Sequence, residues 1–230
     1  MNQAVISTQI EALSQLFTEH SDLNNAAAMS AYMRHQFDFF GIKTPLRKQL
    51  SKRYLRDHGT PSAPLMFAQA CFEAPQRELQ YFVGDWLRPR AKRLGPEWLP
   101  QIEALIIKRS WWDTVDFLSP SIAGPILAQD RALWSAFPDR WIHSENMWLR
   151  RSAILFQLKL KERVNEETLF RYCETCKSDS EFFVQKAMGW ALREYTKTNP
   201  KAVLQFLDDH AMPALTDREA RKWLKSRNAP

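Results

Sequence analysis

The sequence predicts an all-α fold, an α-solenoid of antiparallel helix pairs, and three observations support this prediction. Apolar residues recur at helical spacing along most of the chain, beginning with one apolar face within residues 2–20. No convincing run of alternating apolar and polar residues indicates a strand. Helices that combine aromatic and basic residues recur roughly every 30 to 36 residues, with another helix between each two, as in HEAT-type repeat proteins. These helices begin near Pro45, Gln76, Trp111, Asn146 and Glu181.

In the first half of the chain, proline and glycine mark where the helices begin and end. Thr44-Pro45 opens a strongly basic helix, because proline suits the first helical position, and Gly59-Thr60-Pro61 ends it. Pro89 is expected to kink or split a longer helix, and Gly95-Pro96 forms a turn. The helices of this half are expected at about 2–20, 23–35, 44 to the break at Gly59, 63–72, 76–93 and 97–108.

The second half begins with a short helix that carries two adjacent tryptophans. Ser110 is a good N-cap, and Asp113 three residues later makes the pair a variant capping box. Ser119-Pro120 is expected to stop this helix. The remaining helices are expected at about 121–128, 131–137, 145–162, 166–176, 180–197, 201–209 and 217–226.

The composition is that of a globular protein with an anionic partner. Apolar residues make up 45% of the 230 residues, which excludes disorder of the whole chain, and the length suits one domain over residues 1–230. The net charge of +6 favours an anionic partner such as nucleic acid. No signal peptide opens the sequence and no apolar run is long enough to span a membrane, so we expect a soluble cytoplasmic protein without membrane contact.

The few cysteines and the scattered histidines do not indicate a metal site. Cys173 and Cys176 form a C-x-x-C, but no second pair follows at zinc-ligand spacing, and Cys71 is isolated. We interpret all three as reduced structural thiols. The sequence also has no glycine-rich phosphate loop, so we predict neither a metal ion nor any other cofactor.

Asp116 is the carboxylate of the tryptophan helix that has no capping role. It lies one helical turn after Trp112, so the indole and the carboxylate share a helix face. The alternative is that Trp112 belongs to the core and Asp116 to a solvated face.

A second helix places one tryptophan among cations. Val184, Met188, Ala191 and Tyr195 form its core stripe, and one tryptophan and three cations lie outside that stripe. They are Trp190, Lys186, Arg193 and Lys197. Cations that hold phosphates, next to an aromatic ring, bind nucleic acid without reading its sequence, and a solenoid offers a basic concave cleft for such a ligand. The alternative is a solvated helix face with one exposed tryptophan.

Arg151 lies within an apolar face of the helix at about 145–162 and therefore needs an anion, because an unpaired buried charge is costly. Its partner could be Asp116, a phosphate or another structural carboxylate. Arg150 lies beside this face, but the helical phase favours Arg151 as the cleft residue.

Three motifs in order resemble the AlkD family of bacterial DNA alkylation repair glycosylases. They are Ser-Trp-Trp-Asp-Thr-Val-Asp at 110–116, Trp-Leu-x-Arg followed by Ala-Ile-Leu-Phe-Gln-Leu at 148–158, and Glu-Phe-Phe-x-Gln-Lys-Ala-x-Gly-Trp-x-Leu-Arg-Glu-Tyr at 181–195. The resemblance extends to Tyr32-Met33 and to residues 40–45, and so covers almost the whole chain. It implies a right-handed solenoid of HEAT-like, ARM-type helix pairs. Arg150 stands where the family more usually has an uncharged residue.

The resemblance implies a catalytic cleft at Trp112, Asp116 and Trp190, with Arg151 as basic neighbour and Arg193 as a contact to the DNA backbone. From the matching segments near the start and from the basic helix after Thr44, we also predict DNA contacts for Tyr32, Thr44 and Lys48, besides Lys186 and Lys197.

The implied activity is removal of cationic alkylated purines, such as 7-methylguanine and 3-methyladenine, from double-stranded DNA by a monomeric enzyme. The resemblance further implies that the base is not drawn into a pocket, unlike in most glycosylases. The competing readings are a catalytically silent HEAT-like relative that recognises unusual DNA structures, and a protein-binding α-solenoid scaffold.

Overall fold

The computed structural model describes residues 2–223, and these residues contain fifteen α-helices and no strand. The all-α prediction is confirmed. One isolated bridge joins Asp38 to Gln76. The chain divides into two compact units, Met1–Arg90 and Ala91–Pro230. A single domain over residues 1–230, a right-handed solenoid and a basic concave cleft remain predictions.

The first unit packs its helices around aromatic side chains. Phe82 contacts the rings of both Tyr54 and Phe67, with centroids 5.4 and 6.0 Å apart. The Tyr54 hydroxyl donates to the carbonyl of Gln9 at 2.8 Å and so ties the first helix to the third. The helices are α1 (Asn2–Thr18), α2 (Leu23–Tyr32), α3 (Thr44–His58), α4 (Pro64–Glu73) and α5 (Arg77–Leu87).

The loop before α3 is held by a buried carboxylate. Glu78 accepts hydrogen bonds from the backbone N–H groups of Phe40, Gly41 and Ile42, at 3.1, 2.9 and 3.1 Å. Burial raises the pKa of Glu78, although these three donors oppose the increase. Gly41 has a φ of 89° and lies against the backbone of α2, where a side chain would collide with the carbonyl of Asp22. The start of α3 at Thr44 is confirmed.

The second unit has α13 at its centre, packed on α11 and α15. Its helices are α6 (Leu99–Ile107), α7 (Trp112–Leu118), α8 (Gly124–Leu127), α9 (Leu133–Ala136), α10 (Pro138–Trp141), α11 (Met147–Leu155), α12 (Glu166–Thr175), α13 (Phe182–Thr196), α14 (Pro200–Asp209) and α15 (Ala214–Ala220). Short 3₁₀ segments cover Arg88–Arg93, Pro96–Trp98 and Lys161–Arg163.

At two places in the second unit the helical path differs from the prediction. The helix expected to reach Glu162 ends at Leu155, because the Gln157 amide binds the backbone N–H and carbonyl of Asn165 and folds the chain back. The α-helix α7 ends at Leu118, directly before Ser119-Pro120 as predicted, but the chain does not leave the helical path, since Ser119–Ala123 continues as a π-helix into α8. A wider turn accommodates the proline where an α-helical hydrogen bond would be lost.

The last helix begins at Ala214 rather than at 217, and its predicted end near Ser226 lies outside the described residues. All three cysteines are free and buried, as predicted for reduced structural thiols. No group of three or more His, Cys, Asp or Glu side chains placed to hold a metal ion occurs within residues 2–223. Across the same part of the chain, no helix combines the length and apolar character needed to cross a bilayer.

Candidate functional site

An open cavity of about 240 Å³ lies in the second unit, where α7, α11, α13 and α15 meet. Its wall combines aromatic rings, two carboxylates and three cations. The lining residues are Trp112, Asp116, Arg151, Phe182, Phe183, Lys186, Trp190, Arg193 and Glu219. Six of the predicted site residues are therefore brought together from three helices.

At the start of α7, the adjacent residues Trp111 and Trp112 have different surroundings. The N-cap of α7 is Trp111, in extended conformation and without a side-chain cap. The predicted cap Ser110 instead donates to the carbonyl of Ile106 at 2.7 Å, so the predicted capping box is wrong. Trp111 packs against Trp148 and Phe183, with ring centroids 5.7 and 5.2 Å apart. Trp112, the first residue of α7, lines the cavity.

Arg151 finds its anion in Asp116. Its Nε donates to Oδ1 at 2.8 Å and its Nη2 to Oδ2 at 2.9 Å, and Nη1 donates to the carbonyl of Phe183. The Arg151 side chain is 5% exposed and that of Asp116 is 18% exposed, so the carboxylate keeps an open side towards the cavity. Burial raises the pKa of Asp116 above its ordinary value, and Arg151 offsets only part of that increase.

Arg150 points away from this site, as the helical phase predicted. Its guanidinium donates to Asp179 at 2.7 Å and to the carbonyls of Ser144 and Glu145. These bonds tie α11 to the segment before α13, and Arg150 does not line the cavity.

On α13, the predicted separation of faces holds near the middle of the helix and fails at its end. Val184, Met188 and Ala191 are buried, whereas Tyr195 is only partly buried. The Tyr195 hydroxyl donates to Glu166 at 2.9 Å, a bond that keeps the polar end of the ring at the surface. The core stripe therefore stops one turn earlier than predicted.

Lys197 does not join Lys186, Trp190 and Arg193 at the cavity. It pairs with Glu194 at 2.6 Å and lines a second cavity of about 250 Å³ beside Tyr195. Seven residues separate it from Trp190, which places it roughly 10 Å farther along the helix axis. A shared angular position was therefore not enough to bring Lys197 to the site.

No sequence pattern indicated a role for Glu219 in the site. Its carboxylate is buried and accepts from Lys186 at 2.8 Å, from Arg193 at 2.9 Å and from Lys222. Burial alone would raise its pKa, but these cations lower it to about 2. Lys186 and Arg193 lie 33 and 26 residues away on another helix, where no helical periodicity relates them to Glu219, whereas Lys222 is only three residues away. Phe182 and Phe183 also line the cavity, although the sequence indicated no separate role for them.

Gly189 allows α15 to approach α13 closely enough for this pairing. A Cβ atom on Gly189 would lie 2.5 Å from Cβ of Glu219 and 2.8 Å from the carbonyl oxygen of Thr216. Only a residue without a side chain leaves room for this contact. The glycine thus sets the distance between Glu219 and the cations of α13.

Three predicted DNA contacts lie in the first unit. Tyr32, the last residue of α2, is 71% exposed. Thr44 opens α3, and Lys48 lies one turn later on the same helix; both are exposed. Their contact with DNA remains a prediction.

The comparisons with known proteins agree on one family. A family model described as DNA alkylation repair enzyme matches residues 13–224. A solved structure described as a predicted DNA alkylation repair enzyme from Enterococcus faecalis is 35% identical, with a TM-score of 0.81, over 89% of this chain and 96% of that one. No curated protein matches the chain.

Proposed function

We propose that this chain, which belongs to the DNA alkylation repair enzyme family, is a DNA glycosylase of the AlkD type. Its substrate is double-stranded DNA that carries cationic alkylated purines such as 7-methylguanine and 3-methyladenine. One observation carries the proposal: the Asp116 carboxylate, held by Arg151, opens into a cavity that Trp112 and Trp190 also line. A carboxylate flanked by indoles suits a reaction in which positive charge develops on a sugar.

The chemistry needs no general acid. Alkylation gives the purine a positive charge, so the bond from C1′ to the base nitrogen can break with its electron pair neutralising the base. Glycosidases that expel a neutral leaving group require a second carboxyl to protonate it. Here a single carboxylate faces the developing positive charge on the sugar. Water then adds at C1′, and its proton passes to the Asp116 carboxylate and on to solvent.

Arg151 and the indoles have supporting roles in this proposal. The two hydrogen bonds from Arg151 hold both carboxylate oxygens in one orientation, so little reorganisation is needed as charge develops. We propose that Trp112 and Trp190, which line the cavity, turn their ring faces to the cationic sugar and stabilise it. We propose that Lys186 and Arg193 contact phosphates beside the cavity, and that Tyr32, Thr44, Lys48 and Lys197 contact DNA elsewhere.

The test is single-turnover release of 7-methylguanine from methylated duplex DNA by Asp116→Asn. A preorganised charged group that stabilises the transition state typically raises the rate about 10²–10³-fold. The rate of release is therefore expected to fall by that factor or to the spontaneous level. DNA affinity is expected to persist, because the substitution leaves the proposed phosphate contacts Lys186 and Arg193 in place. The neutral base hypoxanthine is expected to be a poor substrate of the wild-type protein.

Asp113→Asn is the matched control, since it makes the same change one turn earlier on α7. Asp113 lies in the first helical turn, where a carboxylate stabilises the helix by about 0.3–1 kcal/mol. Its substitution is therefore expected to lower stability rather than base release.

Near-normal release by Asp116→Asn would contradict the proposal, and DNA binding without any release by the wild type would indicate the silent DNA-binding relative. Absence of DNA binding at low salt would indicate a protein scaffold.

A further inference from the structure

Three cations surround a single carboxylate at one wall of the cavity. Lys186 and Lys222 both donate to Oε1 of Glu219, and Arg193 donates to Oε2. Lys186 and Arg193 come from α13, whereas Lys222 follows the end of α15. Because one negative charge faces three positive charges, the group keeps an excess positive charge that can attract an anion.

Of the four side chains, the carboxylate is buried and the three cations are partly exposed. Glu219 is 6% exposed, whereas Lys186, Arg193 and Lys222 are 38%, 28% and 51% exposed. An anion that approaches from solvent therefore meets the cations first and the carboxylate behind them. This arrangement suits a Glu219 that holds the cations in place. It does not suit a Glu219 that competes with an incoming anion for them.

The anchor itself is held in place. Glu219 lies on α15 where that helix contacts Gly189 of α13, and Arg193 also approaches the Glu219 carbonyl at 3.5 Å. Long side chains lose conformational freedom when they bind a ligand, which opposes binding. Cations that already converge on a fixed carboxylate have lost much of that freedom before the ligand arrives.

The neighbouring arginine shows that this convergence is selective. Arg221 turns to Asp217 and Asp208, with bonds of 2.8 and 2.9 Å, and takes no part in the group at Glu219. Lys222, the next residue, binds Glu219. The two adjacent cations therefore serve different carboxylates and provide a matched pair for experiment.

We propose that Glu219 is a positioning residue that holds Lys186, Arg193 and Lys222 as a clamp for the phosphates of duplex DNA beside the cavity. Lys222 is then a DNA contact that follows from none of the sequence motifs. The inference rests on the proposed function only in its choice of ligand. It is tested with undamaged duplex DNA, so that loss of base release in Asp116→Asn and loss of the clamp are separate results.

The first experiment compares Lys222→Ala with Arg221→Ala, which remove the same charge one residue apart. The dissociation constant for undamaged duplex DNA is measured between low and moderate salt. Each phosphate contact contributes close to one unit to the slope of log affinity against log salt, so Lys222→Ala should lower the slope by about one. Arg221→Ala should leave the slope unchanged. Equal slopes for the two variants would overturn the assignment of Lys222.

The second experiment compares Glu219→Gln with Glu194→Gln, which removes the carboxylate that pairs with Lys197 outside the cavity. Both variants gain the same net charge, which by itself favours DNA binding. The clamp predicts weaker binding and a lower salt slope for Glu219→Gln than for Glu194→Gln. It also predicts that Lys222→Ala has little further effect in the Glu219→Gln background.

Tighter binding by Glu219→Gln, with a slope as steep as that of Glu194→Gln, would overturn the positioning role and identify Glu219 as a competitor of DNA. Folding of every variant is checked by its melting temperature. Should Glu219→Gln fail to fold, the comparison of Lys222→Ala with Arg221→Ala still decides whether the cations of this group bind phosphate.

Discussion

The guanidinium of Arg151 and the carboxylate of Asp116 form a two-point hydrogen-bonded pair, with distances of 2.8 and 2.9 Å, that joins α11 to α7. The third nitrogen of Arg151 donates to the carbonyl of Phe183 in the first turn of α13. One buried side chain thus connects three helices and orients the carboxylate of the cavity. Stability and activity are expected to depend on it together.

Arg151→Ala is predicted to reduce both the free energy of unfolding and base release. Breaking a buried pair by removing one partner typically costs about 3–5 kcal/mol, and the open side of Asp116 places the loss at the lower end. The measurements are denaturant unfolding and single-turnover release of 7-methylguanine. Arg150→Ala is the control: it breaks the pair with Asp179 and should lower stability without lowering release per folded molecule. Full release by Arg151→Ala would contradict the prediction.

The rate of base release is predicted to fall on acidification as Asp116 becomes protonated. Burial raises the pKa of this carboxyl and Arg151 offsets part of the increase. A raised pKa means that the protonated form persists to a higher pH than in an exposed aspartate, whose pKa is about 3.9. The midpoint of the saturating single-turnover rate should therefore lie above the pKa of an exposed aspartate, with full activity on the alkaline side.

Asp116→Asn is the control for this pH profile, because its residual rate should show no such step. The spontaneous release from the same DNA is subtracted at each pH. A wild-type midpoint below that of an exposed aspartate, or the same step in Asp116→Asn, would assign the titration to another group.

Substitutions of the adjacent residues Trp111 and Trp112 are predicted to have different effects on stability and on base release. Trp111→Ala removes a ring that packs on Trp148 and Phe183, and large aromatic truncations cost about 3–5 kcal/mol in a packed cluster. Trp112→Ala removes a ring from the cavity wall and should lower the rate of base release more than the melting temperature. Both variants are compared by thermal unfolding and single-turnover release. The reverse assignment of effects would mean that Trp111 is the ring that faces the substrate.

Local sequence determined the elements and their faces. Helical spacing identified α11 and α13 as helices, with Val184, Met188 and Ala191 on the buried side and Trp190 outside it. Thr44-Pro45 marked the start of α3 because proline and helix geometry interact over one turn. The need of Arg151 for an anion also followed from the sequence, since it depends only on the apolar neighbours in its own helix.

Contacts between distant residues were decided by the tertiary structure alone. Whether Arg151 binds Asp116 or a phosphate depends on the distance between α7 and α11, and Glu219 meets Lys186 and Arg193 only because Gly189 lets α15 approach α13. Lys197 shares the angular position of Trp190 but pairs with Glu194 outside the cavity. Helical periodicity reports the direction in which a side chain points. The partner that it meets there depends on how the helices pack, which no single segment encodes.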